Sequence, residues 1–151
     1  MELNILRADP AGNITVFVLD PVEKAQRAAI AEKIMAIPAL KAEQVGYACA
    51  AEDDVDGHME MMGGEFCGNA MRAYGMYIAQ QKGGLSSVRL RVSGCDHAVT
   101  AQVDLKSGTA RAEMPCPRSV KRVTVNGHEG TLVDLTGIAH VVVEGVEPSE
   151  D

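Results

Sequence analysis

The sequence predicts an α+β fold in which a curled, mostly antiparallel, barrel-like sheet surrounds a central helix. Three observations carry this expectation. Short apolar and β-branched runs recur along the chain, each bounded by Gly, Pro, Asn or Asp. The stretch 67–84 is apolar nearly all round, which suits a helix enclosed by other elements rather than one lying on a surface. The chain has 151 residues and 46% apolar content, enough for one globular domain with a real core.

Each element follows in order. LNILRAD and NITVFVLD read as a hairpin, with Gly12 and Asn13 in the PAGN turn. Asp20 is the expected N-cap of the next helix, Pro21 fits its first position, and Glu23 can reach back as in a capping box. Ile30, Ile34 and Ile37 mark its apolar face and Pro38 stops it, so this helix is expected to pack on the sheet as scaffold. QVGYACAA and HMEMM read as strands on either side of the acidic loop EDDVDG. That loop lacks the spacing and distal glutamate of an EF-hand, so a solvated turn is expected.

The enclosed helix opens at Cys67, sets Ala70, Tyr74, Tyr77 and Ile78 on one stripe, and closes on Gly83 and Gly84. Gly75 inside it costs up to about 1 kcal/mol relative to Ala, so close approach to a neighbouring strand is its expected use. SSVRLRVS, HAVTAQVDL, TARAEMP, KRVTVNG, GTLVDLTG and AHVVVEG then read as further strands of the same sheet. Asn126-Gly127 is a hairpin signal. The final EGVEPSED reads as a linker, and residues 1–151 as a single domain.

Composition narrows the function. A formal net charge of -7, no Trp and 3% aromatic residues argue against nucleic-acid binding, which needs a basic face or stacking platforms. No apolar run approaches the ~20 residues that span a bilayer. The opening residues lack a signal-peptide pattern, so a cytoplasmic location is expected. Cys49, Cys67, Cys95 and Cys116 lie far apart, with no C-x-x-C and no histidine at zinc spacing. Neither a metal site nor a disulfide frame is expected.

One cysteine has special surroundings. GGEFCGNAMRA places Cys67 among glycines at the opening of a helix. The first turn of a helix carries unpaired N–H groups and about half a positive charge, and a thiol there ionises more readily. Gly63, Gly64 and Gly68 remove side chains, so a ligand carboxylate could approach the backbone donors of Gly68 and Asn69. A base beside an anion seat is what proton abstraction next to a carboxylate requires. Taken alone, this pattern leaves a small buried core cysteine as an even alternative.

GGEFCGNAMRA resembles the cysteine motif of the diaminopimelate epimerase family of cofactor-independent amino-acid racemases and epimerases. Its GGEFCGNA form is closest to the histidine-racemase branch. PAGN resembles the family's G-x-G-N turn, which makes Asn13 a substrate contact. TGIAHVVVE resembles its G-N-P-H-x-V segment, which places His140 near the ligand. The resemblance implies an isomerase of two similar lobes, each a curled sheet around a central helix and each giving one cysteine. One thiolate removes the α-proton and the other thiol donates a proton to the opposite face, with no cofactor. The chain then corresponds to the N-terminal lobe, inactive alone, with the missing C-terminal lobe as its partner. A homodimer that brings two Cys67 side chains to one cavity is the alternative.

Two departures bear on the substrate. Glu60 falls near where diaminopimelate epimerases carry a substrate-binding asparagine, and GIAH lacks the family's Asn-Pro. Both weaken the case for diaminopimelate itself and favour an imidazole side chain on the substrate, with Glu60 or Glu65 accepting from its N–H. Helix-entry charge balance is the competing role for Glu65, a satisfied strand histidine that for His140, and a turn residue that for Asn13. The rival functions are diaminopimelate epimerase proper, a phenazine-biosynthesis-type isomerase of the same fold, and a non-catalytic amino-acid binding module.

Overall fold

A computed structural model describes residues 2–147; residues 148–151 of the stretch read as a linker lie outside the described residues. Twelve elements follow one another: β1 (Ile5–Ala8), β2 (Thr15–Val18), α1 (Lys24–Met35), β3 (Gln44–Cys49), β4 (Gly57–Met61), α2 (Gly68–Gln81), β5 (Ser87–Val92), β6 (Val99–Asp104), β7 (Thr109–Ala112), β8 (Ser119–Val125), β9 (His128–Leu135) and β10 (Ile138–Val143). The fold is α+β, as the sequence predicts. Strands β1 to β7 form a seven-stranded sheet in sequence order, curled as a half-barrel. Most neighbours pair antiparallel, but β2–β3 and β4–β5 are parallel because α1 and α2 carry the chain back to the same end of the sheet.

The expected single sheet is in fact two. Strands β8, β9 and β10 form a separate three-stranded antiparallel sheet. The break falls at residues 113–118, where Pro115 and Pro117 lack the N–H groups that a continuing ladder would need.

The two helices take opposite faces of the larger sheet. In β2 the side chains alternate: Val16 and Val18 join Val45, Tyr47, Ala31 and Ile34 beneath α1, while Phe17 joins the core around α2. That second core packs Met59, Met61, Ala70, Met71, Tyr74, Val88, Leu90, Val99 and Ala101. Burying a side chain such as Phe17, which is wholly inaccessible, contributes roughly 1.5–3 kcal/mol. α2 therefore runs along the concave side, half-buried or buried from Gly68 to Ala79.

Glycines tune this packing. A Cβ on Gly75 would lie 2.8 Å from the Ala101 Cβ, so the missing side chain sets the helix-to-sheet distance. Gly84 at φ +91 ends α2 by donating its N–H to the Ala79 carbonyl at 2.8 Å. Asn126 (φ +50) and Gly127 (φ +81) make the expected tight hairpin between β8 and β9.

The start of α1 differs from expectation. Its N-cap is Glu23, without a side-chain hydrogen bond, and the helix ends at Met35 rather than at Pro38. Asp20 is engaged elsewhere: its carboxylate accepts from the Asn4 backbone N–H (2.5 Å) and side-chain N–H (3.1 Å). These donors hold its carboxyl below the ordinary carboxylate range. A tertiary partner has taken the cap.

Candidate active site

Cys67 is the N-cap of α2. Its backbone is extended (φ -128, ψ 109), and its Sγ accepts from the Ala70 N–H at 3.4 Å while its carbonyl accepts from the Met71 N–H at 2.9 Å. A second donor reaches the sulfur from the sheet: Nε2 of Gln44, the first residue of β3, lies 3.3 Å away. The thiol is half-buried.

The sulfur opens onto a cleft of about 950 Å³. Cys67, Asn13, Glu65, Gly68, Asn69 and His140 all line it, although they come from the β1–β2 turn, the α2 entry and β10. The cleft thus spans both sheets. Leu135 and Ile138 form its wall on the second sheet beside His140. In the PAGN turn, Ala11 (φ +59) and Gly12 (φ +87) take the left-handed positions. Asn13 leaves the turn, and its side chain joins the polar floor. There its Oδ1 accepts from Gln44 Nε2 (2.8 Å) and Asn69 Nδ2 (3.3 Å), and its Nδ2 donates to Glu43 (3.1 Å).

Gly64 faces open space as expected, but Gly63 and Gly68 do not. A Cβ on Gly63 would lie 2.5 Å from Oε2 of Glu65, so that space holds the protein's own carboxylate. The space beside Gly68 faces the Met114 thioether, 3.3 Å from where a Cβ would sit. The first amides of α2 have no intrahelical acceptor by the geometry of a helix start, which leaves those of Gly68 and Asn69 at the cleft. Gly94 was not singled out by sequence, yet a Cβ there would lie 2.3 Å from the Phe66 N, so this glycine lets the β5–β6 turn press against the α2 entry.

Glu60 is not brought to the site. In β4, Met59 and Met61 turn into the core around α2, so Glu60 between them points to the opposite face. There it is ion-paired with Arg27 of α1. The Arg27 guanidinium lies 5.1 Å over the Tyr47 ring and donates to Cys49 Sγ at 3.4 Å. The alternation in HMEMM carried this signal, since two buried methionines leave the intervening acid on the outside. Burial pushes the Cys49 thiol up, partly offset by Arg27, and pushes Cys95 up with help from Asp96 and Glu113. Neither thiol lines the Cys67 cleft, nor does Cys116.

Sequence reasoning missed several lining residues, including Gln44, Arg72, Arg111 and Met114. Arg72 donates to Asn69 Oδ1 one helical turn away. Gln44 was legible only as the polar first residue of a strand whose next three residues are buried.

These features define a class: an α+β fold that wraps a curled sheet around a helix and sets a cysteine at that helix's N-terminus, facing a cleft of mixed polar and apolar lining. The chain belongs to the family described as the histidine racemase CntK N-terminal domain, whose model matches residues 2–151. It is 31% identical over 157 residues to a histidine racemase of Fusobacterium nucleatum subsp. nucleatum, an alignment that covers 98% of this chain and 57% of that protein. A histidine racemase of Staphylococcus aureus is 31% identical over 122 residues, covering 78% of this chain and 44% of that protein. The chain thus spans about half the length of the relatives it matches.

Proposed function

We propose that the chain is one lobe of a pyridoxal-phosphate-independent amino-acid racemase acting on histidine, in which Cys67 is one of two acid/base thiols. The observation that carries this reading is the N-cap position of Cys67: its sulfur accepts from the Ala70 N–H and from Gln44 at the mouth of the cleft. The sulfur is thereby held beside the unpaired N–H groups of the helix start, where a substrate carboxylate can be seated. The histidine racemases that this chain resembles agree with it.

In this mechanism the substrate carboxylate sits against the Gly68 and Asn69 N–H groups. The Cys67 thiolate takes the α-proton; the electron pair left on Cα delocalises into the carboxylate, where the fixed N–H donors stabilise the added charge. A second thiol on the opposite face then gives its proton to Cα, and the configuration inverts. Cys49, Cys95 and Cys116 do not line the cleft, so that thiol comes from a part of the enzyme other than these residues. Asn13 and Asn69 hold the amino-acid end, and Glu65 or His140 meets the imidazole. The remaining length of the relatives corresponds to the partner lobe, and a reducing, cytoplasmic setting keeps both thiols free.

The test is solvent-deuterium incorporation at the histidine α-carbon, followed by NMR. The 151 residues alone are expected neither to racemise histidine nor to exchange its α-hydrogen, whereas the chain joined to the second half that its relatives carry does both. Robust racemisation by the 151 residues alone would refute the two-lobe reading. Activity that survives Cys67→Ser in the joined protein points to a carboxylate-based isomerase. Binding of one enantiomer without exchange points to a binding module.

A further inference from the structure

The polar floor beneath Cys67 is a chain of three side-chain amides, and each can be turned two ways. An amide carries a carbonyl acceptor on one arm and an NH2 donor on the other, so its orientation decides what the sulfur meets. Both ends of the chain are anchored by groups that cannot switch role. At one end, the Glu43 carboxylate only accepts: Oε2 takes Asn13 Nδ2 at 3.1 Å and Oε1 takes the Ile14 N–H at 3.4 Å. At the other, the Arg72 guanidinium only donates, and it is bonded to Asn69 Oδ1.

The orientations propagate inward from these ends. Glu43 draws the NH2 of Asn13 toward itself, which leaves Asn13 Oδ1 facing inward. Arg72 draws the Asn69 oxygen, which leaves the Asn69 NH2 facing Asn13 Oδ1 at 3.3 Å. Gln44 must then present its NH2 to the same oxygen, at 2.8 Å. Buried Thr15 reinforces this: its hydroxyl donates to the Asn13 carbonyl at 3.4 Å, so its oxygen accepts from Gln44 Nε2 at 2.8 Å. Gln44 thus has two hydrogens for three acceptors, one of which is Cys67 Sγ at 3.3 Å. The sulfur meets the Ala70 N–H and shares the Gln44 NH2 with two oxygens that lie closer to it, and the Gln44 carbonyl is turned away.

From this we infer that Glu43 and Arg72 are positioning residues, locking the Asn13, Asn69 and Gln44 amides so that only N–H groups face the Cys67 sulfur. Neither touches the sulfur. Turning any one amide would set donor against donor or acceptor against acceptor along the chain, so the three move as a unit. This inference rests on the reading of Cys67 as the thiolate base. The other charged or titratable groups that line the cleft are Glu65, Arg72, Arg111 and His140.

Glu43→Gln tests the lock, because simple electrostatics and the lock predict opposite signs. Removing a nearby negative charge favours a thiolate and speeds alkylation. Under the lock, the introduced amide can donate to Asn13 Oδ1. Only the Glu43 end of the lock is then released: Arg72, acting through Asn69, still opposes the turn, so Asn13 and Gln44 turn in a fraction of the molecules and the Gln44 carbonyl faces the sulfur in that fraction. The measurement is the rate of Cys67 alkylation by iodoacetamide in the 151-residue chain, mapped by mass spectrometry at neutral and strongly alkaline pH. Glu43→Gln is expected to slow the neutral reaction roughly three- to tenfold, the effect of weakening one hydrogen bond to a charged atom. The alkaline rate, where the thiol is ionised in both proteins, stays unchanged, and Glu43→Asp restores most of the neutral rate.

An unchanged or faster neutral rate in Glu43→Gln overturns the lock, and leaves the thiolate reading standing if wild-type Cys67 outpaces a free thiol at neutral pH. If wild-type Cys67 reacts no faster than a free thiol but Glu43→Gln still slows it, the lock holds and the thiolate reading falls. A slower rate at both pH values means lost access rather than lost donation, and also overturns the lock. Should Glu43→Gln fail to fold, the amide protons of Gln44 and Asn13 decide the matter in the wild-type chain. Slow exchange of both NH2 groups supports the lock, and rapid averaging overturns it.

Discussion

Four cysteines share this chain, and what surrounds each sulfur separates them. Cys49 and Cys95 sit where burial pushes the thiol up, partly offset by Arg27 at Cys49 and reinforced by Asp96 and Glu113 at Cys95. Cys67 sits where two N–H groups converge on the sulfur. With folded values raised, Cys49 and Cys95 stay protonated at neutral pH and react only as the pH climbs past the ordinary thiol range, near 8.5. Iodoacetamide at pH 7 is therefore expected to label Cys67 before either of them, a result that peptide mapping reads directly. Earlier labelling of Cys49 would mean that Arg27 outweighs burial there. Cys67 was legible in the sequence because glycines and a helix start announce a local, chain-contiguous environment. Its partner Gln44 was not, because that contact joins residues 23 apart, and no local pattern encodes a contact made by folding. Glu60 was misplaced for a different reason: motif alignment located it along the chain but not on a face, and strand alternation then turned it toward Arg27.

The elements were legible wherever one residue had a local reason to be there, and less so where a tertiary partner competed. Asp20 has the chemistry of a cap but bonds to Asn4, and α1 starts later, uncapped, at Lys24. Gly75 illustrates the opposite case, since its cost inside a helix pointed to close packing, and its missing Cβ faces Ala101. Gly75→Ala gains up to about 1 kcal/mol of helix propensity. It also drives a methyl to 2.8 Å from the Ala101 Cβ, which no rotamer can relieve, and overpacking of this kind costs typically 1–3 kcal/mol. The net expectation is destabilisation by about 1 kcal/mol in chemical denaturation. Ala101→Gly added to Gly75→Ala removes the opposing methyl, so the pair should couple favourably in a double-mutant cycle. Additive effects would mean that α2 sits further from β6 than the clash requires.

At the scale of the whole molecule, the two sheets differ in how they are covered. The seven-stranded sheet has α1 on one face and α2 on the other, each over its own buried cluster, and neither cluster draws a buried residue from β8–β10. Recurring apolar runs made this strand count legible. The split into two sheets was not, because Pro115 and Pro117 read as a loop without saying that pairing stops there for good. The smaller sheet leaves Val125 and Val141 exposed on one face, with Val141 44% accessible and paired in register with Leu132, and Val120 and Val142 exposed on the other face with His140. An apolar surface of this kind favours association when nothing covers it. Sedimentation velocity on the 151-residue chain should therefore show a weight-average mass that rises with concentration. Val141→Glu places a charge on the Val125–Val141 face and Val142→Glu on the other, and the variant on whichever face makes the contact should lower the association at every concentration. Its melting temperature should hardly move, since exposed substitutions usually change stability by no more than about 0.5 kcal/mol. A chain that stays monomeric throughout would mean the exposed valines are too dispersed to form an interface. An association untouched by both Val141→Glu and Val142→Glu would move the contact to the apolar groove over α2 lined by Leu6, Met76, Tyr77 and Leu105, where Met76→Glu becomes the decisive substitution.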